Sequence, residues 1–288
     1  MFDPKTNRFP YPEITDRHYL HVKKNDGTVF DRNYPFFDCS FGARFKAFWV
    51  RVLLYILVYP LTRIRFGLRI RGRKNLKACR EELRKGVISC SNHVLMWDYL
   101  AVRRAIVPYR PSVLIWAPNI RGENGKMMRT VGGVPIPEEG EGGFTKMVSE
   151  VSDYLKKGGW LHIYPEGSMW EYYMPIRPFK DGAASFSCMT GRPILPLGFS
   201  YREPGWLRRV IFRQFAKVTL TIGEPVWPNA ELPQPERRRD LTRRVHEAVC
   251  RLAGLDPDKN PYPPLFDGTN RRVDYYTTEY GVGYKGSH

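Results

Sequence analysis

Ser91-Asn92-His93-Val94-Leu95-Met96-Trp97-Asp98 stands where an apolar run (Val87, Ile88, Cys90) gives way to the helix-like spacing of Trp97, Leu100 and Ala101. Residues five apart on a regular helix point roughly 140° from each other. His93 is therefore expected in the turn before a helix and Asp98 in its first turn. From there the carboxylate can fold back onto one imidazole nitrogen and leave the other as a proton acceptor near neutral pH. That is half of a catalytic triad without its nucleophile, which a hydroxyl on the substrate can supply. The alternative is a helix N-cap beside a satisfied histidine, and these eight residues alone do not choose between them.

The stretch lies inside a chain of 288 residues, 42% hydrophobic and 14% aromatic, which is the composition of a folded protein with a sizeable core. Its 46 Lys and Arg against 29 Asp and Glu leave a formal net charge of +17. Such an excess calls for an anionic partner: nucleic acid, a membrane surface or phosphorylated substrates. The five cysteines (Cys39, Cys79, Cys90, Cys188, Cys250) are scattered and form no Cys-x-x-Cys pair. A reducing compartment fits them better than a disulfide framework or a zinc knuckle. Asp3, Pro4, Pro10, Asp16 and Asp26 argue against a signal peptide.

Outward from the central stretch, strands and helices alternate, the pattern of an α/β sheet covered on both faces. Strands are expected at Ile64 to Ile70, Val87 to Cys90, Ser112 to Ala117, Gly132 to Ile136, Trp160 to Tyr164, Pro193 to Phe199, Val210 to Phe212 and Val218 to Ile222. Helices are expected at Asn75 to Lys85, Trp97 to about Val107, Phe144 to Leu155, Lys180 to Thr190, and through Leu241, Val245 and Leu252. The first 43 residues or so read as an irregular arm, and the tail after Gly254 as a wrapping segment.

From Ala47 to Tyr59, Arg51 is the only charge. A helix of that length is about 20 Å long, too short for the roughly 30 Å of bilayer hydrocarbon. It is either a core helix or one lying in a membrane interface. Thirteen Lys or Arg against two acids between Arg44 and Lys85 favour the interface of an anionic leaflet. Nucleic acid competes on charge, but the aromatic interleaving of a nucleic-acid module is missing.

Function in such sheets collects where strands end and helices begin. His93 and Glu166 both occupy such positions, and Gly167 permits close approach of a ligand or a backbone. His162, inside the preceding strand, reads as a core histidine. A zinc site from His93, His162 and Asp98 has no metal spacing to support it.

Taken in order, Asn92-His93-x4-Asp98, Gly132-Gly133-Val134-Pro135-Ile136, Tyr164-Pro165-Glu166-Gly167-Ser168 and Arg192-Pro193-Ile194-Leu195-Pro196 resemble the four motifs of the PlsC-type glycerophospholipid acyltransferase family. Phe179-Lys180-x-Gly182 is also similar to that family, and the resemblance covers about Leu68 to Glu224. It implies a mixed sheet flanked by helices, the glycerolphosphate-acyltransferase-like fold, with an N-terminal membrane-associated helical segment. It also implies that His93 takes a proton from an acceptor hydroxyl while Asp98 orients the ring. The oxygen then attacks the thioester of acyl-CoA or acyl-carrier protein. No cofactor or metal is required, because a thiolate leaves readily. Glu166, Gly167 and Ser168 match the acceptor-positioning motif, and Pro193, Ile194 and Pro196 the motif bordering the acyl side.

Two departures stand out. The second motif usually ends in arginine, but Pro137, Glu138 and Glu139 follow Ile136; the third usually continues Thr-Arg, but reads Ser168-Met169-Trp170. With both customary phosphate-pairing arginines missing, Arg177, Lys180 and Arg129 are the expected replacements. The resulting expectation has an arm and interface helix over 1–63, an acyltransferase domain over 64–254 and a tail over 255–288. It works at the cytoplasmic face of a membrane as a peripheral or monotopic protein. Its partners are anionic lipid, an acyl donor and a lysophospholipid or 1-acylglycerol-3-phosphate acceptor, with no nucleic acid. A non-phosphate lipid acceptor and a catalytically silent membrane protein are the alternatives.

Overall fold

The computed structural model describes residues 25–38, 40–173, 175–212 and 216–258. The expected tail over 255–288 lies almost wholly outside them, as does most of the arm before residue 25. Seven strands form one sheet in the order β1-β7-β6-β2-β5-β3-β4. They are β1 (Arg69–Arg71), β2 (Val87–Ser91), β3 (Pro111–Trp116), β4 (Gly133–Ile136), β5 (Trp160–Ile163), β6 (Ile194–Arg202) and β7 (Lys217–Ile222). Every neighbouring pair is parallel except β6 and β7. The mixed α/β sheet inferred from the sequence is therefore the observed fold.

The central strand β2 is buried along its whole length, so its residues serve both faces. Val87 joins one core with α3 (Arg73–Ala78), α4 (Arg80–Arg84) and α5 (Asp98–Ala105). Ile88 and Cys90 join the other, with α6 (Ala117–Arg121), α7 (Gly125–Thr130), α8 (Phe144–Lys156), α9 (Gly182–Thr190) and α11 (Gln234–Ala253). The described part of the arm packs against this second layer through Phe30, Tyr34 and Phe36. This is the period-two alternation of a strand covered on both sides.

Four local expectations are overturned. The apolar helix does not stop after thirteen residues: α1 (Phe41–Leu53), a π turn (Leu54–Val58) and α2 (Tyr59–Phe66) form one helix of 26 residues. At 1.5 Å per residue that is about 39 Å, enough to cross the hydrocarbon of a bilayer. Nor is it a core helix, because only Leu54, Tyr59 and Thr62 along it are buried. Secondly, the strand expected from Ile64 is helix until Phe66, where Gly67 ends it in the left-handed conformation (φ 57°) and only Arg69–Arg71 pair as β1. A helix that buries so little shows no 3.6-residue apolar period, and the Arg–apolar alternation imitated a strand. Thirdly, Val210 to Phe212 belong to a helix, α10 (Trp206–Phe212). The expected helix over Asn75 to Lys85 also breaks at Cys79 into α3 and α4.

Gly86, which turns the chain from α4 into β2, has φ of +118°, and a Cβ there would lie 2.0 Å from the Leu155 carbonyl oxygen. Gly140, at φ of +88°, has open space around it. Gly86→Ala is expected to lower the unfolding free energy by about 3 kcal/mol or more, through strain and overlap together. Gly140→Ala should cost only the roughly 1–2 kcal/mol of left-handed strain. Denaturant titration of both variants checks the difference.

Candidate functional site

β2 and β5 are parallel neighbours, with Cys90 opposite Ile163, so the segments leaving them emerge side by side. His93 follows β2 and Tyr164 follows β5. Asp98 opens α5 and is almost wholly buried. The His93 Nδ1–H donates to Asp98 Oδ2 at 2.7 Å, and the same oxygen accepts the backbone N–H groups of Val94 (3.1 Å) and Leu95 (3.4 Å). The tight turn from His93 into α5 thus closes on its own carboxylate. With Nδ1 committed to Asp98, Nε2 is the acceptor, on a side chain 23% exposed.

The other carboxylate oxygen, Oδ1, accepts the Tyr164 hydroxyl at 2.7 Å. The Tyr164 ring lies flat against the His93 ring, centroids 3.9 Å apart and planes 15° apart. Burial, followed by the Asp98 charge, pushes the Tyr164 hydroxyl well above the usual phenol range, which keeps it a donor. Tyr164 therefore fixes Asp98 by its hydroxyl and His93 by its face. The sequence reading counted it only as part of a motif. A phenol at the end of the strand beside the His-x4-Asp turn was the available signal.

Glu166 is turned away from the opening. Its Oε2 accepts the His93 backbone N–H (3.1 Å) and Arg177 Nη2 (2.7 Å), and its Oε1 accepts the Arg177 backbone N–H (3.1 Å). Arg177 Nη1 donates to Ser168 Oγ at 2.6 Å, Nη2 also donates to the Ser168 carbonyl, and the guanidinium lies 4.4 Å from the Trp170 ring centroid. A small apolar crevice lined by Thr62, Phe66, Leu68, Leu95, Trp97, Ala101 and Val218 has Asp98 in its wall. It lies between the long helix and the His–Asp pair.

Residues 67–200 match the acyltransferase family model. That segment, which carries the His93, Glu166 and Pro193–Pro196 motifs, is similar to the acyltransferase family. The chain is 29% identical over 158 residues to an N-acylphosphatidylethanolamine synthase of Arabidopsis thaliana, covering 49% of this chain. It spans about half, 55%, of that relative's length. Among solved structures it is similar to the 1-acyl-sn-glycerophosphate acyltransferase PlsC from Thermotoga maritima, at 17% identity and a TM-score of 0.46 over 73% of this chain and 94% of that one.

The family's motifs converge in this acyltransferase domain, but not all in the expected way. Arg177 and Ser168 are almost wholly buried, so neither can meet an acceptor phosphate from solvent. Arg177 is engaged by Glu166 and Ser168, so it is corrected from acceptor anchor to wall. Lys180 is exposed, and its Cε and Nζ lie over Gly167, 3.2 and 3.3 Å from where a Cβ would be. Arg129 is exposed at the end of α7, its guanidinium 4.9 Å from the Tyr34 ring centroid. Ile194 and Pro196 lie in β6 opposite Ile88 and Cys90 of β2, and the Pro193 carbonyl accepts the Ile88 N–H at 3.0 Å. That motif builds the sheet beneath the site. Asn92 ties the site to it from above, donating to the Phe199 carbonyl (3.2 Å) and accepting the Phe199 N–H (2.8 Å).

His162 is buried below Tyr164, with Nδ1 2.9 Å from Ser89 Oγ and Nε2 3.4 Å from Ser91 Oγ. Burial depresses its pKa from 6.5 to about 3. It is a neutral core histidine.

Two outcomes follow from these contacts. Tyr164→Phe keeps the stacked ring and deletes one donor to a charged acceptor, an interaction worth about 1.5–3 kcal/mol. Steady-state kinetics should show kcat lower by about tenfold with KM for both substrates nearly unchanged. For His162, the unfolded chain takes up a proton near pH 6.5, whereas the folded one does so only near 3. The stability contribution is therefore complete above pH 6.5 and is lost as pH falls towards 3, at up to about 1.4 kcal/mol per pH unit. Urea unfolding between pH 7 and 4 should show a shallower fall for His162→Gln than for the wild type.

Proposed function

We propose that this protein is a membrane-bound acyltransferase that moves a fatty acyl group from acyl-CoA or acyl-carrier protein to a glycerophospholipid acceptor, with His93 as general base. The observation that carries it is the His93–Asp98 contact of 2.7 Å, with Asp98 held by three further donors at the end of the central strands. His93 Nε2 takes the proton from the acceptor hydroxyl as its oxygen adds to the thioester carbon. The charge on the imidazolium is balanced by Asp98, and Tyr164 keeps that carboxylate in place. Collapse of the adduct breaks the carbon–sulfur bond, and the thiolate leaves with the proton from His93. The crevice lined by Phe66, Leu68 and Trp97 sets apolar side chains beside Asp98.

The acceptor in this reading is a lysophospholipid or 1-acylglycerol-3-phosphate. With Arg177 committed to Glu166, Lys180 over Gly167 is the cation best placed for its phosphate. A second acceptor, the amine of an ethanolamine phospholipid, is supported by the N-acylphosphatidylethanolamine synthase to which the chain is similar. The exposed 26-residue apolar helix supports work at a bilayer.

The test is incubation with labelled acyl-CoA, a panel of lysophospholipids and phosphatidylethanolamine, followed by lipid mass spectrometry. An alkali-labile ester product supports the first acceptor and an alkali-stable amide the second. His93→Ala should lower the rate by roughly 10²–10⁴-fold, and Asp98→Asn should also fall steeply because an amide can hold the wrong tautomer. A folded His93→Ala enzyme with near-normal turnover overturns the mechanism.

A further inference from the structure

Helix α10, like the long helix, leaves several large apolar side chains in solvent. Trp206 is 76% exposed, Leu207 51%, Val210 69% and Ile211 61%. Positions 206, 207, 210 and 211 fall within roughly 140° of one helix circumference, so the four form one face. A seven-residue helix exposing four such groups gains nothing from them in water.

The sheet determines where that face lies. β2 and β6 are parallel, and both end at the edge that carries His93. β7 is antiparallel to β6, and β1 is parallel to β7, so β7 and β1 begin at that same edge. The long helix enters β1 there, and α10 sits in the β6–β7 connection there. The two elements touch: Arg208 Nη1 donates to the Ile64 carbonyl at 2.6 Å, and Arg202 Nη2 donates to the Gly67 carbonyl. Leu61 and Ile64 are themselves about half exposed, as are Met96 and Trp97 beside Asp98. Apolar groups thus continue from the long helix to α10, along the edge that holds the catalytic pair.

The charge around them selects the occupant. Residues 201–212 carry three arginines and one acid, Glu203. Arg202 has its pKa lowered by burial and then by Arg69, Arg71 and Arg208, so these cations lie close enough to repel one another. Arg63, Arg65, Arg69 and Arg71 are exposed next to the same elements. A second copy docking face to face would set this array against itself, at a cost that grows with each like pair. Apolar side chains rimmed by arginines match the acyl and headgroup layers of an anionic bilayer, and a tryptophan at the start of the helix suits that boundary.

We propose that α10 is a second membrane-docking element, inserting Trp206, Leu207, Val210 and Ile211 into the anionic leaflet that holds the long helix. The inference rests on the membrane location under the proposed function and adds an orientation to it. One contact leaves the domain able to swing on its helix. Two contacts at one edge turn the His93–Asp98 opening towards the lipid.

The experiment uses the full chain with vesicles of phosphatidylcholine and phosphatidylglycerol, with or without bromine on the upper acyl chain. Wild type should co-sediment, and brominated lipid should quench more of its fluorescence than that of Trp206→Phe, the difference being the signal of Trp206. Leu207→Ser with Val210→Ser and Ile211→Ser should lower binding by about tenfold or more, or abolish the Trp206 quenching if the long helix holds the protein on the vesicle. These positions are exposed, so circular dichroism of the triple variant should match the wild type. Bound wild type with quenching equal to that of Trp206→Phe overturns the docking role and leaves the membrane reading standing. A wild type that does not sediment with either lipid overturns both. A triple variant that alters only the oligomeric state, measured by light scattering without lipid, assigns the face to a second copy and overturns the proposal.

Discussion

The buried pair of Glu166 and Arg177 is the contact on which the geometry of the His93–Asp98 turn depends. Both side chains are withdrawn from water, which costs several kcal/mol per ion unless other bonds compensate. Here the compensation is spread over the site. Glu166 accepts the backbone of His93 and of Arg177, and Arg177 donates to both polar groups of Ser168. The pair therefore joins the turn after β2 to the segment after β5, and the imidazole rides on that joint. Loss of either partner leaves a buried charge uncompensated, so this wall is far less tolerant of change than the rim.

The sheet and the pair itself were legible in the sequence because both are local. His93 and Asp98 are five residues apart, and the turn between them closes without help from elsewhere. The strands from Val87, Ser112, Trp160, Pro193 and Val218 announced themselves as apolar runs because they are covered on two faces. Arg177 was misjudged because composition shows that a cation is near a motif, not which way it points. Its partner is eleven residues back, and only the fold makes it an inward-facing ion.

The long helix and α10 failed for the opposite reason. Patterning arguments assume that apolar residues mark the side facing the core, yet the long helix buries only Leu54, Tyr59 and Thr62, and α10 exposes Trp206, Leu207, Val210 and Ile211. Arg63 and Arg65 seemed to end the apolar segment, although the helix continues to Phe66. Val210 and Ile211 have strand-like propensity, which their exposed setting does not use. Where a helix buries so little, periodicity measured against a core misleads.

The two ends of the sheet are short. β1 pairs over three residues, and β4, at the far edge, spans four, with Pro135 unable to donate to a neighbouring strand. Neither edge offers a useful template for another strand. Exposed apolar surface such as that of the long helix and α10 favours aggregation, and the blunt sheet margins oppose its spread by backbone pairing.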